Sequence, residues 1–299
     1  MTTKYMPDIR PAFVFVHSAW LSAATWQKLI PLLEARGYVA RALDLPGAGA
    51  NAKAPSSYDR RPLDAAAFAS EPSLNGSVTQ EDRTRAVIAL VEDTRRQTGA
   101  PIVLVGHSLG GLTVTAVAET IPEQLHAAVY LCAHMLPTGM SASAIRQGPS
   151  MNGSLIHALQ KGNPKEIGAM RIDPRSEDSD YCEQLRLAFF GDVSPTDFAL
   201  ELTHMHCDEP VRPVLTPSVM TAERFGRVPR HYFRTLEDRV ILIAAQDLMI
   251  SAVDTAMGNA THAHTLATNH APYFSRPDAV VEPLLAIAGR SEGVATRPR

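Results

Sequence analysis

The chain has 299 residues, of which 45% are hydrophobic and 20% charged, with a formal net charge of -3. This length buries a sizeable core, and α/β folds of this size commonly form one domain, so one catalytic domain carrying an insertion is expected. The near-balanced charge offers no broad basic field for a phosphate backbone or an anionic membrane surface, which argues against nucleic-acid and membrane partners.

The three cysteines, Cys132, Cys182 and Cys207, have no CxxC or paired spacing. They suggest neither a disulfide framework nor a thiolate metal site and fit a reducing, cytoplasmic setting. The opening residues M-T-T-K-Y-M-P-D-I-R-P lack an apolar core of signal-peptide length. No later stretch reaches the roughly 18 apolar residues of a membrane span.

In chain order, residues 12–16 (A-F-V-F-V) form a short apolar run expected of a strand buried on both faces. A helix is predicted over residues 25–35 from the spacing of Trp26, Leu29, Ile30 and Leu33, with Gly37 as its stop. Residues 38–43 read as a second strand that enters the turn D-L-P-G-A-G-A. Residues 51–80, rich in Pro, Ala and Ser, read as a long surface excursion. An amphipathic helix follows over 81–98, then a strand over 101–105, the segment G-H-S-L-G-G and a helix over 112–119. Residues 127–131 are a further buried strand. From 134 to 228 the alternation stops, and short helical pieces carry Met135, Met140, Met151, Met170, Met205 and Met220. It resumes with a strand at 231–235, a helix near 253–258, a strand near 264–266 and a helix over 278–288. Such alternation predicts right-handed βαβ units and a mostly parallel central sheet flanked by helices. The expected organisation is a core of residues 1–133 and 229–290, a cap (lid) insertion over 134–228 and a flexible tail over 291–299.

The chemistry concentrates on Gly106-His107-Ser108-Leu109-Gly110. A serine hydroxyl is a weak nucleophile, so an enzyme using one must expose it, supply a base and provide donors for the oxyanion. The pattern G-x-S-x-G between strand and helix exposes the hydroxyl on a sharp turn, and that context is present here. No Gly-Lys-Ser/Thr follows, so a phosphate-binding loop is disfavoured. Of the eleven histidines, His270 alone follows both the serine and the candidate acids and lies just after the last strand. His107 adjoins Ser108, but neighbours in such a turn point apart, and His17 is read as a support for its own loop. His204 and His206 with Cys207 lack further spaced ligands and read as incidental rather than as a metal site; His262 and His264 fall in a strand. Three carboxylates, Glu237, Asp238 and Asp247, compete for the acid that orients the imidazole. Asp44 is read as ordering a turn. No metal or organic cofactor is demanded.

The pieces H-S-A-W with W-Q-K-L-I-P-L-L, D-L-P-G-A-G, G-H-S-L-G-G, E-R-F-G-R-V-P-R-H-Y-F, E-D-R-V-I and N-H-A-P-Y-F-S-R-P-D make residues 12–288 resemble the α/β-hydrolase superfamily. The resemblance is to its branch of plant methyl esterases, hydroxynitrile lyases and bacterial pyrethroid-hydrolase-like carboxylesterases. It implies an α/β-hydrolase fold with Ser108 as nucleophile, His270 as base and, from E-D-R-V-I, Asp238 as acid. It also implies an oxyanion hole from the N–H groups of Ala19 and Leu109. Ser18 departs from the glycine usual in such esterases. It reads equally as a substrate-touching hydroxyl, like the threonine of the lyases, or as a small turn residue. Trp20 reads equally as a pocket wall or as packing under the cap.

The implied activity is that of a carboxylesterase-type serine hydrolase acting through an acyl-enzyme, and the adaptable methionines favour a hydrophobic or aromatic ester. A lactonase, a hydroxynitrile lyase or a non-catalytic small-molecule receptor on the same fold are the alternatives. The lyases carry a lysine after the catalytic histidine, where Ala271 stands. Dehalogenases and epoxide hydrolases require an aspartate in place of Ser108. The expected partner is a small-molecule ester, and a homodimer is an admissible assembly.

Overall fold

A computed structural model describes residues 10–289, so the expected tail at 291–299 lies outside the described residues. Six strands form one sheet: β1 (Ala12–Val16), β2 (Ala40–Ala42), β3 (Ile102–His107), β4 (Leu125–Leu131), β7 (Arg230–Thr235) and β8 (His262–Leu266). Their order is β2-β1-β3-β4-β7-β8, and every neighbouring pair is parallel. Two further strands, β5 (Ala169–Arg171) and β6 (Asp208–Pro210), pair antiparallel as a separate ribbon. Parallel strands need crossover segments, and helices supply them on both faces.

Strand alternation divides the core into two. Phe13, Phe15, Val103, Val105, Val129, Leu131 and Phe233 face one side. Val14, Val16, Leu104, Ala128, Tyr130 and Tyr232 face the other. With side chains buried on both faces, the central strands β1, β3 and β4 are largely apolar, which is why they stand out in the sequence, whereas the edge strand β8 is H-A-H-T-L and mostly exposed. The first apolar cluster continues into the segment between β4 and β7 through Met151, Ile156, Met170, Phe189 and Phe198. That segment therefore shares the sheet's core.

Three elements differ from the sequence reading. The helix expected over 25–35 is a 3-10 turn, Ala23–Trp26, followed by the helix Leu29–Glu34; Pro31 sits in the first turn of that helix, where its missing N–H costs nothing. The helix expected near 253–258 runs over Ile243–Met257. Its first turns lie within the apolar run V-I-L-I-A-A, which has no polar face to reveal helical periodicity. Gln246 is buried there, and its amide binds the Thr235 and Ile241 carbonyls, tying the helix to the end of β7. The excursion over 51–80 is a docked element. It contains the helix Ala65–Ser70, capped by Asp64, and Tyr58 and Phe68 pack with Cys207 from the β5–β6 region. Arg171 of β5 anchors it, pairing with Asp208 at 2.6 and 2.7 Å and donating to the Phe68 and Glu71 carbonyls. A long-range ion pair of this kind leaves no local sequence signature. The helix Gln80–Thr98 opens with a capping box between Thr79 and Asp82.

Candidate active site

The carboxyl ends of β1, β3, β7 and β8 converge, which is where parallel sheets place their ligand-binding crevice. Ser108 directly follows β3 with φ of 51°, a left-handed conformation that a non-glycine residue adopts at a cost. Its carbonyl accepts the N–H groups of Gly111 at 3.2 Å and His134 at 2.9 Å, which hold the turn. The glycines either side allow the close packing it needs. A Cβ at Gly106 would stand 2.5 Å from Val114 Cγ2, and one at Gly110 would stand 2.7 Å from the carbonyl oxygens of Val16 and His17.

His270 follows β8 and is buried beside the turn. Its Nδ1 lies 2.7 Å from Asp238 Oδ2. Because a carboxylate only accepts, Nδ1 carries the hydrogen and Nε2 presents a lone pair; Nε2 is buried with no hydrogen-bond partner among the described residues. Asp238 is fixed from three more directions: Thr235 Oγ1 donates at 3.0 Å, and the N–H groups of Val240 and Ile241 donate at 2.7 and 2.9 Å. The competing acids lie elsewhere. Asp247 faces solvent and pairs with Arg234 at 2.6 and 2.8 Å, while Glu237 is exposed.

His107 Nε2 donates to the His270 carbonyl at 2.8 Å, and their rings lie 4.6 Å apart. Burial first, then the neighbouring His270, holds His107 well below the usual histidine range, so it is a neutral support. Cys132 Sγ also donates to the His270 carbonyl, at 3.3 Å. His107, Cys132 and His270 lie close enough to share a metal ion. However, His107 Nε2 and His270 Nδ1 are already engaged, and burial, then Asp238, pushes the Cys132 thiol well up. These groups suit mutual hydrogen bonding better than thiolate ligation.

Ala19 and Leu109 both line the small space that Ser108 also lines. His17 supports this loop as expected: Nδ1 donates to the Ser18 carbonyl at 2.8 Å and Nε2 accepts the Leu45 N–H at 3.1 Å. Burial lowers its pKa to about 4. Asp44 orders its turn by accepting the Ala23 and Ala50 N–H groups at 2.7 and 2.8 Å. Ser18 is buried but is not among the residues lining the space over Ser108, whereas Trp20 is. Trp20 has φ of 58° and is held at three points by the segment between β4 and β7. Its N–H donates to Glu209 Oε2 at 3.3 Å, its indole N–H donates to the Met170 carbonyl at 2.9 Å, and its carbonyl accepts the His206 N–H at 3.0 Å.

The wall also includes His134, Arg146, Met151, Ile156, Met170 and Phe189 from the segment between β4 and β7, and Val240 and Ile241 beside Asp238. Two of the methionines singled out in the sequence thus reach the site, while Met135, Met205 and Met220 fill the core. Sequence reasoning missed Arg146, His134, Phe189 and Glu209. Only His134 had a signal available, its position just past the end of β4 and therefore at the sheet's carboxyl edge. Among the described residues, no helix is long and apolar enough to cross a membrane.

The chain is similar to known proteins in sequence and in fold. The chain is 28% identical over 281 residues to putative methylesterase 11, chloroplastic, of Arabidopsis thaliana, covering 92% of this chain and 63% of that protein. It spans 56% of putative methylesterase 15, chloroplastic, of the same plant. It is 27% identical to a pyrethroid hydrolase of Sphingobium wenxiniae, covering 92% of this chain and 86% of the relative. Among solved structures, a pyrethroid hydrolase superposes with a TM-score of 0.72 at 24% identity, covering 93% of this chain and 97% of that one. Polyneuridine aldehyde esterase superposes with a TM-score of 0.68 at 24% identity, covering 93% and 99%. The description Alpha/beta hydrolase family matches residues 13–282, and with the parallel sheet and the strand-to-helix turn already in place, the chain belongs to that family.

Proposed function

We propose that the protein is a serine hydrolase that cleaves a carboxylic ester through an acyl-enzyme, with Ser108 as nucleophile, His270 as general base and Asp238 as orienting acid. The observation that carries this reading is the buried His270–Asp238 pair at 2.7 Å, whose Nε2 has no hydrogen-bond partner among the described residues and whose ring lies 4.6 Å from that of His107, the neighbour of the strained Ser108. Esterase relatives support it.

In the first step Ser108 Oγ attacks the ester carbonyl while its proton passes to His270 Nε2. Asp238 then stabilises the imidazolium and holds the tautomer. Negative charge collects on the carbonyl oxygen, which accepts hydrogen bonds from the N–H groups of Ala19 and Leu109. Collapse of the tetrahedral species expels the alcohol, which takes the proton from Nε2 and leaves the acyl group on Ser108. Water, deprotonated by the same Nε2, attacks the acyl carbonyl and releases the acid. Residues 134–228 act as a cap whose apolar side chains exclude water, and Trp20 walls the pocket. The small apolar space over Ser108 fits a hydrophobic or aromatic group on the ester. Three free cysteines, two of them buried, support a reducing cytoplasmic location.

The test is hydrolysis of a panel of p-nitrophenyl and methyl esters by wild type and Ser108→Ala, with mass detection of the trapped acyl-enzyme. Ser108→Ala should lose several orders of magnitude in rate while retaining its fold and Tm. Near wild-type turnover by the folded variant would sink the assignment.

A further inference from the structure

Two polar side chains in the wall over Ser108 have no task in ester cleavage. His134 is buried, and neither ring nitrogen has a hydrogen-bond partner among the described residues. Arg146, at the end of the helix Ala142–Arg146, has no carboxylate partner among them; its one hydrogen-bond contact is the Met170 sulfur. Arg146 is partly buried and has no anionic partner among the described residues, so its charge is available to an anion that arrives with a ligand.

Arg146 and Met170 line two spaces at once: the small one over Ser108 and a cavity of about 460 Å³ farther out. The outer wall adds Lys165, His157, Asn163 and Gln160, and the Gln160 amide has both its nitrogen and its oxygen buried and unpartnered. Neither space has an aspartate or glutamate in its lining. The charged side chains that line the two spaces are therefore both cations, Arg146 and Lys165, and the Gln160 amide and His134 ring beside them are unpartnered.

Resting on the ester-cleaving reading above, we propose that the substrate is an ester carrying a second, ionised carboxylate, which Arg146 binds while the ester carbonyl lies at Ser108. The planar fork of a guanidinium matches a carboxylate with two parallel hydrogen bonds, which a point charge does not. His134 and Gln160 supply further polar contacts, and Lys165 adds attraction at the mouth. Desolvation brings the Arg146 pKa down to about 10, so the group stays cationic at neutral pH. Half-esters of aliphatic or aromatic dicarboxylic acids have this chemistry: an apolar body, one ester and one anion.

The experiment compares 4-nitrophenyl half-esters of succinate, glutarate and adipate with the same compounds methylated on the second carboxylate. Wild type should favour the anionic member of at least one pair by about tenfold or more in kcat/KM, and added salt should reduce the preference. Arg146→Gln should abolish it, lowering kcat/KM for the anionic esters by about tenfold or more relative to their methylated partners. Equal turnover of anionic and methylated esters, or a preference untouched in Arg146→Gln, overturns the anion site and leaves the esterase reading standing. A second arm titrates the monomethyl esters of the same acids into Ser108→Ala by calorimetry. Binding that needs Arg146, with no turnover of any ester by wild type, keeps the anion site and overturns the esterase reading. Absence of binding together with absence of an anionic preference overturns the proposal.

Discussion

The buried carboxylate of Glu209, the middle residue of the ribbon strand β6, accepts the backbone N–H of Trp20 at 3.3 Å through one oxygen and the Arg83 guanidinium at 2.5 Å through the other. Burial opposes the Glu209 charge, but the attraction and hydrogen bond of Arg83, with the His206 ring 3.8 Å away, outweigh it and bring its pKa down to about 2. One side chain thus joins the segment between β4 and β7, the helix Gln80–Thr98 and the loop that carries Ala19.

If Glu209 positions that loop, replacing it should separate stability from rate. Glu209→Gln keeps an acceptor for Trp20 but leaves Arg83 unpaired. Breaking a buried pair costs about 3 kcal/mol, so its Tm should fall by roughly 5–10 °C while kcat stays within about threefold. Glu209→Leu also removes the acceptor, and below its Tm it should lose about tenfold or more in kcat with KM little changed. Equal kcat in the two variants would reduce Glu209 to a purely structural role.

Asp238 and Asp247 provide a second contrast. Asp238→Asn keeps the shape of the acid but favours the wrong imidazole tautomer, so kcat should fall by about 10³-fold or more. Asp247→Asn loses an exposed pair with Arg234, worth about 1 kcal/mol or less, and should keep wild-type kcat. Glu237→Gln should behave like Asp247→Asn. A crippled Asp247→Asn enzyme beside an active Asp238→Asn enzyme would reverse the assignment.

Stability should fall on mild acidification. Burial lowers His17 to about 4 and His134 to about 3, so both stay neutral in the folded protein after they have protonated in the unfolded chain. The unfolded state then binds more protons, and stability drops as pH falls from about 6.5 toward 4, by on the order of a few kcal/mol for each histidine. Depression of Glu209 adds a further loss below its unfolded value of 4.5, extending toward about 2. Urea unfolding at pH 7.5, 6.0 and 5.0 checks this, and His134→Gln should flatten the slope. A stability that stays level from pH 7.5 to 5.0 contradicts it.

Cyanohydrin cleavage should be negligible. Departing cyanide is an anion, and the buried Ala271 supplies no cation at the position directly after His270; Arg146, the cation in the wall over Ser108, stands on the segment between β4 and β7 instead. Purified protein incubated with mandelonitrile and, separately, with an aryl acetate should release nitrophenol or acetate far faster than benzaldehyde, after correction for spontaneous decay. Serine-dependent benzaldehyde release at a matching rate would reverse the hydrolase reading.

The sequence by itself determined the alternating strands and helices, the strand-to-helix turn at Ser108 and the place of His270 after the last strand. Each of these rests on residues adjacent in the chain. A strand buried on both faces must be an apolar run, and a turn that brings Gly110 against Val16 and His17 must contain glycine. The choice among Glu237, Asp238 and Asp247 was different, because all three follow β7 within a short span. Only the folded chain decides which carboxylate meets His270 and which meets Arg234. Farther apart still are Trp20 and Glu209, 189 positions from each other, and the unpaired Arg146 beside His134. The long excursion over 51–80 hid its docked helix for the same reason, since its anchor is Arg171, a hundred residues downstream. Local propensity reflects the backbone's own neighbours, whereas a buried charge is recognised only by what surrounds it, and that environment exists only after residues distant in the chain have packed together.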